Sequence, residues 1–259
     1  MSHVSFSELK IWNECAWKHK LAYIDDITSF EGNEYTAFGT AMHSTCERLV
    51  VESDFQEKAK KYFLTEFRDN LKQLPDENNL DIELIKKMKD QGSLLIEYVL
   101  PALKDYFGSY KVYSVEEQLY EPIENESEYK FKGFVDLVVQ TPDGKYHIID
   151  WKTCSWGWDS RRKAERMTTY QLTFYKNFFC KKHNIDFDRV ETHFALLKRT
   201  AKKNNIEIFR VTSGNKKIKN ALNLLYKALY NIKSKNFIKN RLSCTKGYGC
   251  EFYKTKHCQ

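Results

Sequence analysis

The sequence predicts an α/β fold: a mixed central β-sheet flanked by helices, with helical elaborations toward both ends. Three observations predict it. The first hundred or so residues place apolar side chains at helical spacing. Between Val112 and Lys152 the pattern changes to alternating or continuous apolar runs rich in β-branched and aromatic residues. The remainder reads as helix, strand, strand, helix.

Taken in order, residues 5 to 23 open with Ser5-Phe6-Ser7-Glu8, where Ser5 caps a helix and Glu8 closes a capping box. Leu9, Ile11, Trp12, Cys15 and Ala16 continue it as a short amphipathic helix. A second helix runs from Tyr35 to Val51 through Gly39, and two more cover residues 56 to 73 and 81 to 107. Strands follow at 112 to 117, 129 to 140 and 145 to 152. The segment Thr141-Pro142-Asp143-Gly144 places Pro and Gly where a tight turn needs them, so the last two strands form a hairpin. A helix at 163 to 182, strands at 190 to 198 and 205 to 212 and a long helix at 214 to 234 complete the series. The 259 residues are expected to form a single domain, mainly helical over 1–110, an α/β core over 111–212, and a helix with a cysteine-containing segment over 213–259.

Bulk properties narrow the function. No apolar run approaches the roughly 20 residues of a membrane-spanning helix, and the N-terminus lacks a signal-peptide layout, so a cytoplasmic protein without membrane partners is expected. The excess of 42 Lys+Arg over 35 Asp+Glu, a formal charge of +7, favours a polyanionic partner. Seven cysteines, an odd number, argue against a disulfide framework.

The chemistry concentrates in two strands. Pairing about the 141–144 turn sets Asp136 opposite Ile149 or Asp150, and Lys152 shares the face of Asp150. Charged groups inside the apolar runs Gly133-Phe134-Val135-Asp136-Leu137-Val138 and Ile148-Ile149-Asp150-Trp151-Lys152 are costly unless compensated. An Asp–Lys ion pair at a strand end compensates Asp150 and Lys152 alone. Paired hard oxygen donors beside an ammonium also suit Mg2+ or Mn2+.

Asp136 followed by Asp150-Trp151-Lys152 after a hairpin turn resembles the signature of the PD-(D/E)xK nuclease superfamily, with Val135 in place of the nominal proline. Further motifs resemble its RecB-like branch. Phe38-Gly39-Thr40-Ala41-Met42-His43 is similar to the helical G-x-x-x-H motif, Glu117 to an acidic residue on the preceding strand, and Gln171-Leu172-Thr173-Phe174-Tyr175 to the Q-x-x-x-Y motif. The resemblance covers residues 5 to 180. It implies a restriction-endonuclease-like core, catalytic roles for Asp136, Asp150, Lys152, Glu117, Gln171 and Tyr175, and metal ligation by His43, Asp136, Asp150 and Trp151.

Cys15, within Trp12-Asn13-Glu14-Cys15-Ala16-Trp17-Lys18, together with Cys244, Cys250 and Cys258, resembles the cysteine arrangement of iron–sulfur nucleases such as AddB and those of CRISPR adaptation. That group's C-terminal spacing is C-x2-C-x5-C, and here it is C-x5-C-x7-C. The resemblance implies a 4Fe-4S cluster holding the two ends of the chain together; zinc and free thiols are the alternatives. Cys46, Cys154 and Cys180 fall within expected elements and read as small core residues.

The function so implied is hydrolysis of DNA phosphodiesters with Mg2+ or Mn2+, by an exonuclease acting on single-stranded or duplex ends in recombination, repair or replication. A structure-specific endonuclease and a non-catalytic DNA-binding subunit are the alternatives. A helicase, a recombinase or a single-strand-binding protein is the kind of partner implied, since no P-loop is present. The size and texture suit a phage-encoded protein in a bacterial host.

Overall fold

The computed structural model describes residues 2–27, 32–75, 79–247 and 249–258. In chain order the elements are β1 (Ser2–Ser5), α1 (Phe6–Glu14), α2 (Ala16–His19), a π-helical turn (Lys20–Ile24), α3 (Glu34–Val51), α4 (Gln56–Lys72), α5 (Ile82–Phe107), β2 (Lys111–Pro122), β3 (Tyr129–Gln140), β4 (Tyr146–Cys154), α6 (Ser160–Lys163), α7 (Arg166–His183), β5 (Val190–Lys198), β6 (Ile206–Val211) and α8 (Asn215–Lys233). The expected α/β class with a mixed sheet and flanking helices is what the chain forms. Two compact units emerge from the chain: one takes residues 1–31, 120–133 and 214–259, the other 32–119 and 134–213.

In the second unit, β3 and β4 are antiparallel, β4 and β5 parallel, and β5 and β6 antiparallel. The hairpin turn forms as expected: Thr141 N–H donates to Lys145 O, and Gly144 adopts φ +79°, which the turn requires. One sheet face, carrying Leu137, Val139, Ile149, Trp151, Ala195 and Leu197, packs with α3, α4 and α5 in a single core. Asn33 and Thr36 form a capping box at the start of α3, and Asp81 caps α5 by accepting from Leu84 N–H. Phe38, Phe63 and Phe67 interlock between α3 and α4. Gly92 is essential to this packing, since a Cβ there would lie 2.2 Å from the Phe63 ring.

The first unit contains β1, parallel to the opening residues of β3 from Ser2 opposite Tyr129 to Ser5 opposite Lys132. Sequence periodicity gave no sign of so short a strand. The expected helix over 5 to 23 is broken instead at Cys15, which is extended and separates α1 from α2. Ser5 caps α1 by accepting from Glu8 N–H at 3.1 Å, but the Glu8 carboxylate turns to His19 Nε2, 2.8 Å away. A buried histidine with a hydrogen-bonding need thus takes the group that a capping box would have used. Among the described residues no helix is long and apolar enough to cross a membrane.

Candidate active site

The catalytic candidates lie within the second unit. Leu137 pairs with Ile149, so one further step along the β3–β4 ladder brings Asp136 and Asp150 together on one face. Both are buried, at 7% and 1% exposure. Trp151 N–H donates to Asp136 Oδ2 at 2.7 Å, and Lys152 Nζ stands 2.6 Å from Asp150 Oδ2. Asp150 Oδ2 is buried without a well-aligned hydrogen bond, the ammonium compensating its charge by proximity. Burial first, and then the Asp150 charge, push the Asp136 carboxyl well above the ordinary carboxylate range. Burial alone would pull Lys152 down, but the carboxylates of Asp150 and Asp136 outweigh it and hold the ammonium above its usual value.

From α3, His43 places Nδ1 at 3.4 Å from Asp136 Oδ2. Burial, followed by the Lys152 charge, lowers its pKa to about 4, so at neutral pH the imidazole is uncharged and has a lone pair to offer. Glu47 lies one helical turn beyond His43 on the same face. Its carboxyl is pushed up to about 8 by burial and by a hydrogen bond with Glu116. The charge of Glu116 acts weakly on both Asp136 and Tyr175, so it lies within electrostatic reach of the catalytic group.

Glu117 is not brought to this group. Its carboxylate is held by Ser114 Oγ, Lys182 Nζ and His183 Nε2, and these partners lower its pKa against the effect of burial. The cause is local: Glu116 has φ +48° in the middle of β2, which interrupts the alternation of the strand and redirects the side chains around it. Of the two adjacent acids of β2, Glu116 is the one within electrostatic reach of Asp136.

On α7, Gln171 Nε2 donates to Tyr175 OH at 3.1 Å, the i, i+4 pair sharing a face. Burial first, and then the Asp150 carboxylate, raise the Tyr175 pKa, so the phenol keeps its proton.

The donor set suits a hard divalent cation. Two buried carboxylates and a neutral imidazole adjoin one ammonium, and a cation would compensate the second carboxylate on its ionisation.

Cys15, Cys244, Cys250 and Cys258 line one cavity in the first unit, with Trp17, Lys18 and Phe252. The surrounding chain is tied by hydrogen bonds from Asn240 N–H to Cys15 Sγ at 3.3 Å, Trp17 Nε1 to His257 O at 3.0 Å and Cys250 N–H to Cys244 O at 2.9 Å. Cys46 and Cys180 are buried in the second unit and Cys154 is half-buried there.

Fold and site together define a class: an α/β protein that sets an acid pair and a lysine on a β-hairpin. The sequence profile of the PD-(D/E)XK nuclease superfamily matches residues 3–254, and the chain belongs to that superfamily. It is accordingly a hydrolytic nuclease. A crystal structure of a Eubacterium rectale protein, named provisionally as an exonuclease, shares the fold with a TM-score of 0.62 at 13% identity, over 94% of this chain and 86% of that one. A second solved structure, SSO0001, aligns over 89% of this chain and 90% of its own at 16% identity with a TM-score of 0.37. No curated protein matches the sequence.

Proposed function

We propose that this chain is a DNA exonuclease of the RecB-like branch, dependent on Mg2+ or Mn2+. The observation that carries the reading is the convergence of Asp136, Asp150 and Lys152, buried and charge-coupled, with His43 against Asp136. His43, Asp136, Asp150 and the Trp151 backbone are the groups that would hold the cation. When bound, it would polarise the scissile phosphate and acidify the attacking water. Lys152 orients that water and offsets phosphate charge, and Asp150 holds the ammonium in place. Glu47, its carboxyl pushed up to about 8 by burial and by the hydrogen bond with Glu116, adds an acidic pair near the group. Gln171 fixes the Tyr175 hydroxyl, whose proton is available to a phosphate oxygen. The charge of +7 favours a nucleic acid, and the name given to the Eubacterium rectale neighbour favours exonucleolytic action.

The same proposal includes a 4Fe-4S cluster on Cys15, Cys244, Cys250 and Cys258. Four sulfur donors on one cavity fit such a group, and the amide of Asn240 already directed at Cys15 Sγ is the kind of contact that tunes it. Bound there, the cluster would hold residues near the start of the chain to residues near its end. An intracellular setting with a helicase, recombinase or single-strand-binding partner completes the reading.

End-labelled linear DNA and closed circular DNA, incubated with Mg2+ or Mn2+ and with the wild type or Lys152→Ala, test it. Loss of linear DNA that spares circles and disappears in Lys152→Ala is expected. Cleavage of circles would shift the assignment to an endonuclease, and cleavage indifferent to Lys152 would remove the site.

A further inference from the structure

A second cluster of ligand-type side chains lies on β4 and β5, three residues before Asp150 and on the other face of β4. Parallel pairing sets His147 opposite Glu191, and His193, two residues beyond Glu191, shares their face. His147 Nδ1 is 3.1 Å from His193 Nε2 and 3.8 Å from Glu191 Oε2. One donor atom from each of the three residues falls within 4.8 Å of the others. Zinc bonds of about 2.0–2.1 Å in a tetrahedron set donor atoms roughly 3.3 Å apart.

The surrounding hydrogen bonds orient these donors inward. Thr141 commits its hydroxyl proton to Asp143 Oδ1, so Thr141 Oγ1 accepts from His147 Nε2–H at 3.0 Å. That fixes the tautomer of His147 and directs its Nδ1 lone pair at His193 and Glu191. Tyr106 OH, 3.4 Å from His193 Nδ1, can donate to that nitrogen in the ion-free state and accept from it when Nε2 is a ligand. Lys145 and Arg210 occupy Glu191 Oε1, each at 3.3 Å, which leaves Oε2 toward His147. The Phe107 ring, 5.0 Å from His147 and 5.2 Å from His193, closes the site against water. Burial lowers both imidazole pKa values, His193 to about 3, so both are neutral as metal ligation requires.

We propose that His147, Glu191 and His193 form a second metal site, distinct from the nuclease centre, that takes a borderline divalent ion of the zinc class with one exogenous ligand. Two imidazoles and one carboxylate select Zn2+, Co2+ or Ni2+ over the hard cations of the nuclease site. Without an ion, His193 Nε2–H donates to His147 Nδ1. With one, the His193 proton moves to Nδ1 and is accepted by Tyr106 OH. The ion ties the first residues of β4 to those of β5 and acts on stability, not on phosphodiester cleavage.

The test uses full-length Asp136→Asn protein, freed of loosely held ions with chelator and titrated with Co2+. The expected result is a ligand-field spectrum of tetrahedral nitrogen and oxygen coordination, without thiolate charge transfer, and a rise in Tm. His147→Gln and Glu191→Gln in the same background should each lose both. Where His147→Gln fails to fold, as judged by circular dichroism, Glu191→Gln decides alone. An unchanged spectrum in the folded variants overturns the site, and a thiolate charge-transfer band in place of the ligand-field spectrum does so equally by placing the ion on cysteine. In the otherwise wild-type chain, His147→Gln should cleave DNA in Mg2+ at the wild-type rate; a loss would overturn the separation of the two sites.

Discussion

Glu116 and Glu117 are neighbours in the chain but serve different surroundings: the first is hydrogen-bonded to Glu47 within electrostatic reach of Asp136, the second is held by Lys182 and His183. Substituting each in turn should therefore separate catalysis from stability. Glu116→Gln is expected to slow cleavage at least tenfold with little change in Tm, since it removes a charge at the catalytic group. Glu117→Gln should leave kcat close to wild type and cost about 1–3 kcal/mol at neutral pH, through the charge-assisted hydrogen bonds it loses. Because the folded-state pKa of Glu117 is lowered, its stabilisation is present above the ordinary glutamate value and lost as pH falls through the folded one. The Tm gap between Glu117→Gln and wild type should narrow as pH falls below the ordinary glutamate value and close below the folded one. A gap that persists in acid counts against the ion pairs as its source.

Asp136 makes a different prediction. Its pKa is raised in the metal-free fold, so folding is disfavoured as pH rises through the unfolded value toward the folded one. Asp136→Asn should abolish cleavage yet melt at or above the wild-type temperature in chelator at pH 7. Mg2+ should then raise the Tm of wild type but not of the variant. Thermal denaturation with and without chelator checks both, and a variant that still gains Tm from Mg2+ would show that the ion sits elsewhere.

Cys250→Ala should lower bound iron and sulfide and reduce Tm by several degrees, with a smaller effect on cleavage per folded molecule. Cys154→Ala, outside the cysteine-lined cavity, should leave the iron content unchanged. Iron and sulfide analysis after anaerobic purification distinguishes them; equal iron in both variants rules out the four-cysteine assignment.

Trp156 follows β4 four residues after Lys152 and is 79% exposed. A large aromatic held in solvent near the catalytic strand is placed to stack on a base. Stacking contributes about 1–3 kcal/mol per base, so Trp156→Ala in the Asp136→Asn background should weaken single-stranded DNA binding by about tenfold. Fluorescence anisotropy with a labelled oligonucleotide measures it, and unchanged affinity would assign Trp156 no part in substrate capture.

Much of this was legible from residue order, for definite reasons. Helical and strand periods are strong in α3, α4, α5, β3 and β4, and Pro142 and Gly144 fix the hairpin turn, which sets Asp136 opposite Ile149 or Asp150 and Lys152 on the face of Asp150; the resemblance to the superfamily signature joined the three. The turn left two registers open, and the ladder with Leu137 opposite Ile149 is the one that forms. Glu116 was not legible, because a non-glycine residue at φ +48° leaves no trace in the side-chain pattern. Glu47 carried a usable signal, its i, i+4 spacing from His43. The break at Cys15 has no Pro or Gly to announce it. His147 and His193 meet only through the parallel register of β4 and β5, strands separated by α6 and α7, and sequence patterns do not encode such pairing.

The order in which the chain is laid down bears on its synthesis. Every residue of the catalytic group has been polymerised by Ser213, whereas the first unit draws on residues up to 259. During translation the nuclease centre can therefore assemble while Cys15 still waits for Cys244, Cys250 and Cys258. Once residue 213 has cleared the ribosome, the hydrolytic centre can fold before the last cysteines emerge, so any group held by the proposed four-cysteine site would be loaded late in maturation.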